Sequence, residues 1–114
     1  MAAFDRSTVR PLLAGVLTAN SLGHLATAAA GKEHLTPLAG RHSGPIVNAV
    51  WGGANLLGGL VLARAAASPG RRWGREINAF AAGATGFAAW MFLSELAWPV
   101  NTGEQAAAVT IDPE

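Results

Sequence analysis

Three stretches of the chain, residues 11–31, 45–63 and 77–93, contain no Lys, Arg, Asp or Glu. Each approaches the ~20 apolar residues that a helix needs to cross a bilayer. Residues 46–63 are apolar nearly all round, whereas a helix of a soluble bundle keeps a polar face. The pattern predicts an all-α membrane protein with three transmembrane helices, over about residues 11–31, 45–63 and 77–98. These form one transmembrane domain over residues 1–100, followed by a polar, acidic tail over 101–114. The alternative is two spans after removal of a signal peptide, for which Ala26-Thr27-Ala28 resembles a cleavage site. The apolar run continues past that site to Gly31, longer than a secretory segment requires, so three spans is the preferred reading.

The cations orient the bundle. Arg6 and Arg10 precede the first span, and Arg64, Arg71, Arg72 and Arg75 lie between the second and third. Only Lys32 and Arg41 lie between the first and second, so three crossings divide the cations six to two. The positive-inside bias then predicts an N-in, C-out topology. Arg71, Arg72 and Arg75 act as a headgroup anchor in this picture. Only 13% of residues are charged, against about 25% in ordinary soluble domains. The net charge of +1, spread over short loops, argues against a nucleic-acid partner. With no Cys there are no disulfides and no thiolate metal sites. Seven Arg against one Lys, in an Ala- and Gly-rich chain, suggest a bacterial source and hence the cytoplasmic (inner) membrane.

Punctuation and packing signals fit the spans. Pro11 and Pro45 stand near helix starts, Ser43 or Gly44 can cap the second helix, and Gly31 can close the first. Ser68-Pro69-Gly70 closes the second, while Trp73 and Trp98 suit opposite interfaces. Gly15, Ala19, Gly23 and Thr27 recur every four residues and predict a small-residue packing ridge on helix one. Helices two and three offer Ala49/Gly53, Gly59/Ala63, Ala79/Gly83 and Ala82/Gly86. Lipid gives helices little hydrophobic reason to associate, so close backbone approach must supply the contact energy.

Candidate chemistry lies in the polar residues within the spans. Asn20 and His24, four apart, share a face of helix one, and Asn48, Trp51 and Asn55 form a stripe on helix two. Six strongly apolar residues of helix one supply roughly −2 to −3.5 kcal/mol of insertion energy, which one amide and one imidazole offset in large part. Asn20 and His24 are therefore expected to point into the bundle, against Asn48 and Asn55. Interhelical hydrogen bonding by such Asn side chains typically contributes ~0.6 kcal/mol. His24 is the one candidate for acid–base chemistry, because intramembrane ionisable groups often mark functional sites. His34 and His42 in the loop after helix one match no metal-ligand spacing with His24, so neither a metal nor a cofactor is expected. There is no Ser-His-Asp set, phosphate loop or carboxylate pair, and an enzyme is the less favoured class.

The segments Asn20-Ser21-Leu22-Gly23-His24, Thr36-Pro37, and Ser43-Gly44-Pro45-Ile46-Val47-Asn48-Ala49-Val50-Trp51-Gly52 with Asn55 and Gly59 resemble a group of uncharacterised small bacterial integral membrane proteins. Their pattern is N-G-x-x-H, then T-P, then S-x-x-V-N-x-x-W-G-x-x-N-x-x-x-G, with Ser21 here in place of the first Gly. The likeness covers about residues 12 to 62 and implies a membrane fold, with no assigned reaction.

These features favour a small polytopic inner-membrane protein, an accessory or scaffolding component acting through helix–helix association. The alternatives are a small oligomeric transporter or channel with an Asn/His-lined path, and a membrane-embedded enzyme using His24. The expected partners are the lipid bilayer and either a second copy of the chain or a larger membrane protein. The charge split makes the first prediction. A reporter active only in the cytoplasm should give signal when fused after Arg72 and none when fused after Glu114. Equal or inverted signals would rule out the three-span, N-in arrangement.

Overall fold

The computed structural model describes residues 5–67 and 74–101, all of whose regular structure is helical apart from one isolated β-bridge. Helices α1 (Arg6–Ala29), α2 (Pro45–Ala66) and α3 (Arg75–Ala97) are each long and apolar enough to cross a membrane. At 1.5 Å per residue they run about 33–36 Å, against a hydrocarbon core of ~30 Å. Arg71, Arg72, Trp73, the Ser68-Pro69-Gly70 stop and the tail beyond Asn101 lie outside the described residues. Arg75 is the exposed first residue of α3.

Helix α1 starts five residues before its expected boundary. Asp5 caps it, its carboxylate accepting from the Ser7 amide at 3.4 Å and the Ser7 hydroxyl at 2.6 Å. Those bonds hold the Asp5 carboxyl below its ordinary value. Pro11 therefore sits inside the helix, fully buried, and does not mark its start. At the other end Gly31 adopts φ +67, with Lys32 N–H donating to the Thr27 carbonyl and Gly31 N–H to that of Ala28. This is a Schellman stop, in which a left-handed glycine satisfies the last carbonyls. Gly44 precedes α2 with Pro45 at its first turn, and Ser43 turns its hydroxyl back to the Gly40 carbonyl instead of capping.

Helix α1 is central, with α2 antiparallel on one side and α3 parallel on another. Large apolar side chains such as Leu22, Val50, Leu57, Val61, Phe92 and Leu93 point outward, more than half exposed, as lipid-facing residues do. The inward contacts are small. A Cβ at Gly15 would strike the Phe80 carbonyl, and one at Gly83 would strike the Leu12 carbonyl, so α1 and α3 touch backbone to backbone there. On α2, Gly59 lies against Thr18 and the Ala14 carbonyl, and Gly52 against the side chains of His24 and Leu25.

The expected ridge on α1 divides. Gly15 is buried against α3, Ala19 and Thr27 are half-buried, and Gly23 is exposed with nothing within 4 Å of its missing side chain. The same holds for Gly53 and Gly86, which face open space. The reason is angular. Four residues turn about 400°, so a strict four-residue repeat drifts about 40° per step and leaves the interface. Asn48, Gly52, Asn55 and Gly59 are spaced four, three and four, which keeps them on one buried face of α2.

This geometry predicts opposite outcomes for two glycines. Gly83→Val should lower stability by about 1–3 kcal/mol through overpacking, read as the midpoint of unfolding in mixed detergent micelles. Gly23→Val should leave that midpoint nearly unchanged. Equal losses would mean that Gly23 is covered by a further chain.

Candidate functional site

The loop between α1 and α2 is short and internally bonded. Thr36 and Gly40 exchange backbone hydrogen bonds across a β-bridge, with Gly40 at φ +79. The Thr36 hydroxyl oxygen accepts from the amides of Leu38 and Ala39, at 3.2 and 3.3 Å. Because Ser43 donates its hydroxyl to the Gly40 carbonyl at 2.7 Å, the 2.7 Å bond between Thr36 and Ser43 has Thr36 as donor. The loop is tied to the end of α3 as well. Leu35 N–H donates to Asn101 Oδ1 at 3.0 Å, and Arg41 Nε to the Val100 carbonyl at 3.2 Å. Glu95 accepts from the Asn101 amide at 2.8 Å and from its Nδ2 at 3.2 Å.

Asn48 joins this loop to α1. It is fully buried, and its Nδ2 donates to the carbonyls of Ser43 at 2.7 Å, Gly44 at 3.0 Å and His34 at 3.2 Å. Its Oδ1 lies 2.7 Å from His24 Nδ1. Turning the amide over would aim its oxygen at three carbonyl oxygens, so the contacts determine the orientation. Oδ1 must accept, and His24 Nδ1–H donates. In the neutral imidazole the proton therefore sits on Nδ1, and Nε2 presents a lone pair. Gly52 supplies the clearance that brings α2 this close to His24.

The cluster expected from sequence is only partly assembled. His24 and Asn48 meet directly, whereas Asn55, also buried, donates to the Trp51 carbonyl of its own helix at 2.8 Å. Asn20 is half-buried and makes no side-chain hydrogen bond among the described residues. Asn78 and Thr85 of α3 face outward.

Asn20, His24 and Trp51 instead line a cleft of about 500 Å³ at the loop end of the bundle. Helix α1 forms its floor, and Trp51 of α2 faces Phe87, Trp90 and Met91 of α3. The loop residues His34 to Pro37 form the roof, joined by Val100 and Asn101. A side groove between α1 and α3 continues it past Ala19 and Gly23. His24 is only 4% exposed, and its Nε2 has no protein partner, yet it is not sealed off. The His34 ring stands edge-on to that of His24, with centroids 4.7 Å apart. Burial, followed by the neighbouring His24, pushes the His34 pKa down, against a raising influence from Glu95. His42 lies apart, 2.9 Å from Glu33 at the surface. No three metal-ligating side chains converge among the described residues.

Sequence reasoning did not single out His34, the Thr36–Ser43 pair or the aromatic wall of α3. Phe87, Trp90, Met91 and Ser94, spaced three, one and three, do share a helix face, and that periodicity was a readable signal. The network yields a contrast between two buried amides. Asn48→Leu leaves the His24 donor and the His34 carbonyl without a partner, at about 1–3 kcal/mol for each group left unsatisfied, and takes one of two donors from the Ser43 and Gly44 carbonyls. Asn55→Leu removes only a bond within one helix. The expected result is a much larger drop in the unfolding midpoint for Asn48→Leu, with faster proteolysis of the loop. Comparable effects would show that Asn48 is not the fastening point.

No protein-family model, curated protein or solved structure matches this chain, so its geometry carries the functional reading.

Proposed function

We propose that this chain is a non-catalytic accessory protein of a bacterial cytoplasmic membrane, oriented N-in and C-out, that binds a small lipid-phase molecule in the cleft at its loop end. The observation that carries this reading is that the cleft is bounded at both ends. The bonded loop roofs it, and below it α1 and α3 close to backbone contact at Gly15 and Gly83. Its volume of about 500 Å³ lies within the range of about 300–1,000 Å³ common for small-molecule sites.

The alternatives draw less support. A conducting path needs free polar groups in sequence across the membrane, and the amides of Asn48 and Asn55 are engaged in structural bonds. In the usual acid–base constellation the histidine is hydrogen-bonded to a carboxylate that orients and tunes it. Here the hydrogen-bond partner of His24 is an amide, and the Glu95 carboxylate holds Asn101.

The reading is tested by native mass spectrometry of gently extracted protein together with flux assays in liposomes. A bound species of small-molecule mass is expected, with solute flux equal to that of empty vesicles. Gly23→Trp, whose Cβ meets nothing within 4 Å and whose ring fills the side groove against Phe87 and Met91, should remove the bound mass and leave the fold intact. Solute flux above background, or protein carrying no small molecule, overturns the proposal.

A further inference from the structure

Resting on that binding reading, the cleft also has features that define its occupant. Its floor carries two polar groups without a hydrogen-bond partner among the described residues, His24 Nε2 and the Asn20 side-chain amide, four residues apart on one face of α1. In its neutral form His24, with its Nδ1 proton engaged by Asn48, has a single role toward the cleft, that of acceptor. Asn20 Nδ2 offers donors beside it. A hydroxyl is the group that satisfies both, giving its hydrogen to Nε2 and taking one from Asn20. A carbonyl or an ether can answer Asn20 but leaves Nε2 without a donor. The walls above this pair are the rings of Trp51, Phe87 and Trp90, which favour an aromatic ring in offset or edge-on contact. Because α2 and α3 flank α1 without a comparable interface of their own, the cleft lies open between them to the hydrocarbon side.

We infer that the cleft is a site for a neutral phenolic lipid, whose hydroxyl docks between His24 Nε2 and Asn20 while its apolar tail leaves between α2 and α3. A donor brought in by the ligand meets an acceptor that no described residue satisfies. The burial of His24 makes this group different from an exposed histidine, which solvent would serve as well.

The probes are 4-octylphenol and its methyl ether 4-octylanisole, which share ring and tail and differ in the hydroxyl hydrogen. Each is titrated into the intact protein in lipid nanodiscs. Binding is followed by tryptophan fluorescence and by the ¹⁵N resonance of the His24 Nε2 atom. The phenol should bind saturably, move that resonance in the direction of an accepted hydrogen bond, and bind roughly tenfold more tightly than the ether, the effect of one such bond. Asn20→Leu should weaken phenol and ether alike by several-fold, since either oxygen accepts from Asn20, and should leave the preference for the phenol, which Nε2 carries. Asn20 makes no side-chain hydrogen bond among the described residues whose loss would unfold the protein. Equal binding of phenol and ether would overturn the phenolic assignment and leave the binding reading standing. Binding of neither, in protein shown to be folded, would overturn both.

Discussion

A single buried amide, that of Asn48, connects the parts of this molecule that packing alone leaves separate. It draws together three carbonyls from the loop and the start of α2, and it receives the His24 proton from α1. Backbone amides also serve the Ser43 and Gly44 carbonyls, but the buried His24 N–H and the His34 carbonyl have Asn48 alone among the described residues, and leaving such groups unsatisfied is costly. The loop cannot shift relative to α1 without breaking bonds that lipid cannot replace. The tautomer of His24, the height of the loop over the bundle and the shape of the cleft all follow from this one contact.

The two ends of the bundle are built by different physics. At the end away from the loop, Gly15, Gly83 and Gly59 let backbones touch, and dispersion does the work that the hydrophobic effect does in water. At the loop end, Phe87, Trp90 and Met91 are too bulky for such contact, so α1 and α3 are held apart. Hydrogen bonds take over the fastening there, through Asn48 on one side and the Asn101–Leu35 and Arg41–Val100 ties on the other. A cleft arises where close packing stops and the network begins.

The three helices were legible because a run of some twenty residues without charge matches the thickness of a bilayer and is rare in soluble chains. The start of α1 was not, because Asp5, Arg6 and Ser7 read as a polar approach and Pro11 as a boundary. The ridge of Gly15, Ala19, Gly23 and Thr27 misled in part: composition shows which residues are small, but only their angular drift shows which ones meet a neighbour. The pairing of His24 with an amide was readable from polarity, though the choice of Asn48 over Asn20 and Asn55 depends on the loop carbonyls. Those carbonyls carry no side-chain signature, and the position of His34 over His24 follows from a loop path that no periodicity encodes.

The run from Ser43 to Gly59 acquires a physical sense from this arrangement. Within it, Ser43 locks the loop, Asn48 fastens it to His24, and Gly52 gives His24 room. Asn55 and Gly59 continue the same face of α2 toward α1, while Trp51 turns aside to the cleft. Thr36 of the T-P pair closes the loop through Ser43. All but one of these residues maintain the architecture, and Trp51 is the member turned toward the cleft. Asn20 is the other residue of the resemblance that the architecture does not use. A polar side chain kept within a membrane span without a structural bond has its natural counterpart in something that arrives from outside the chain.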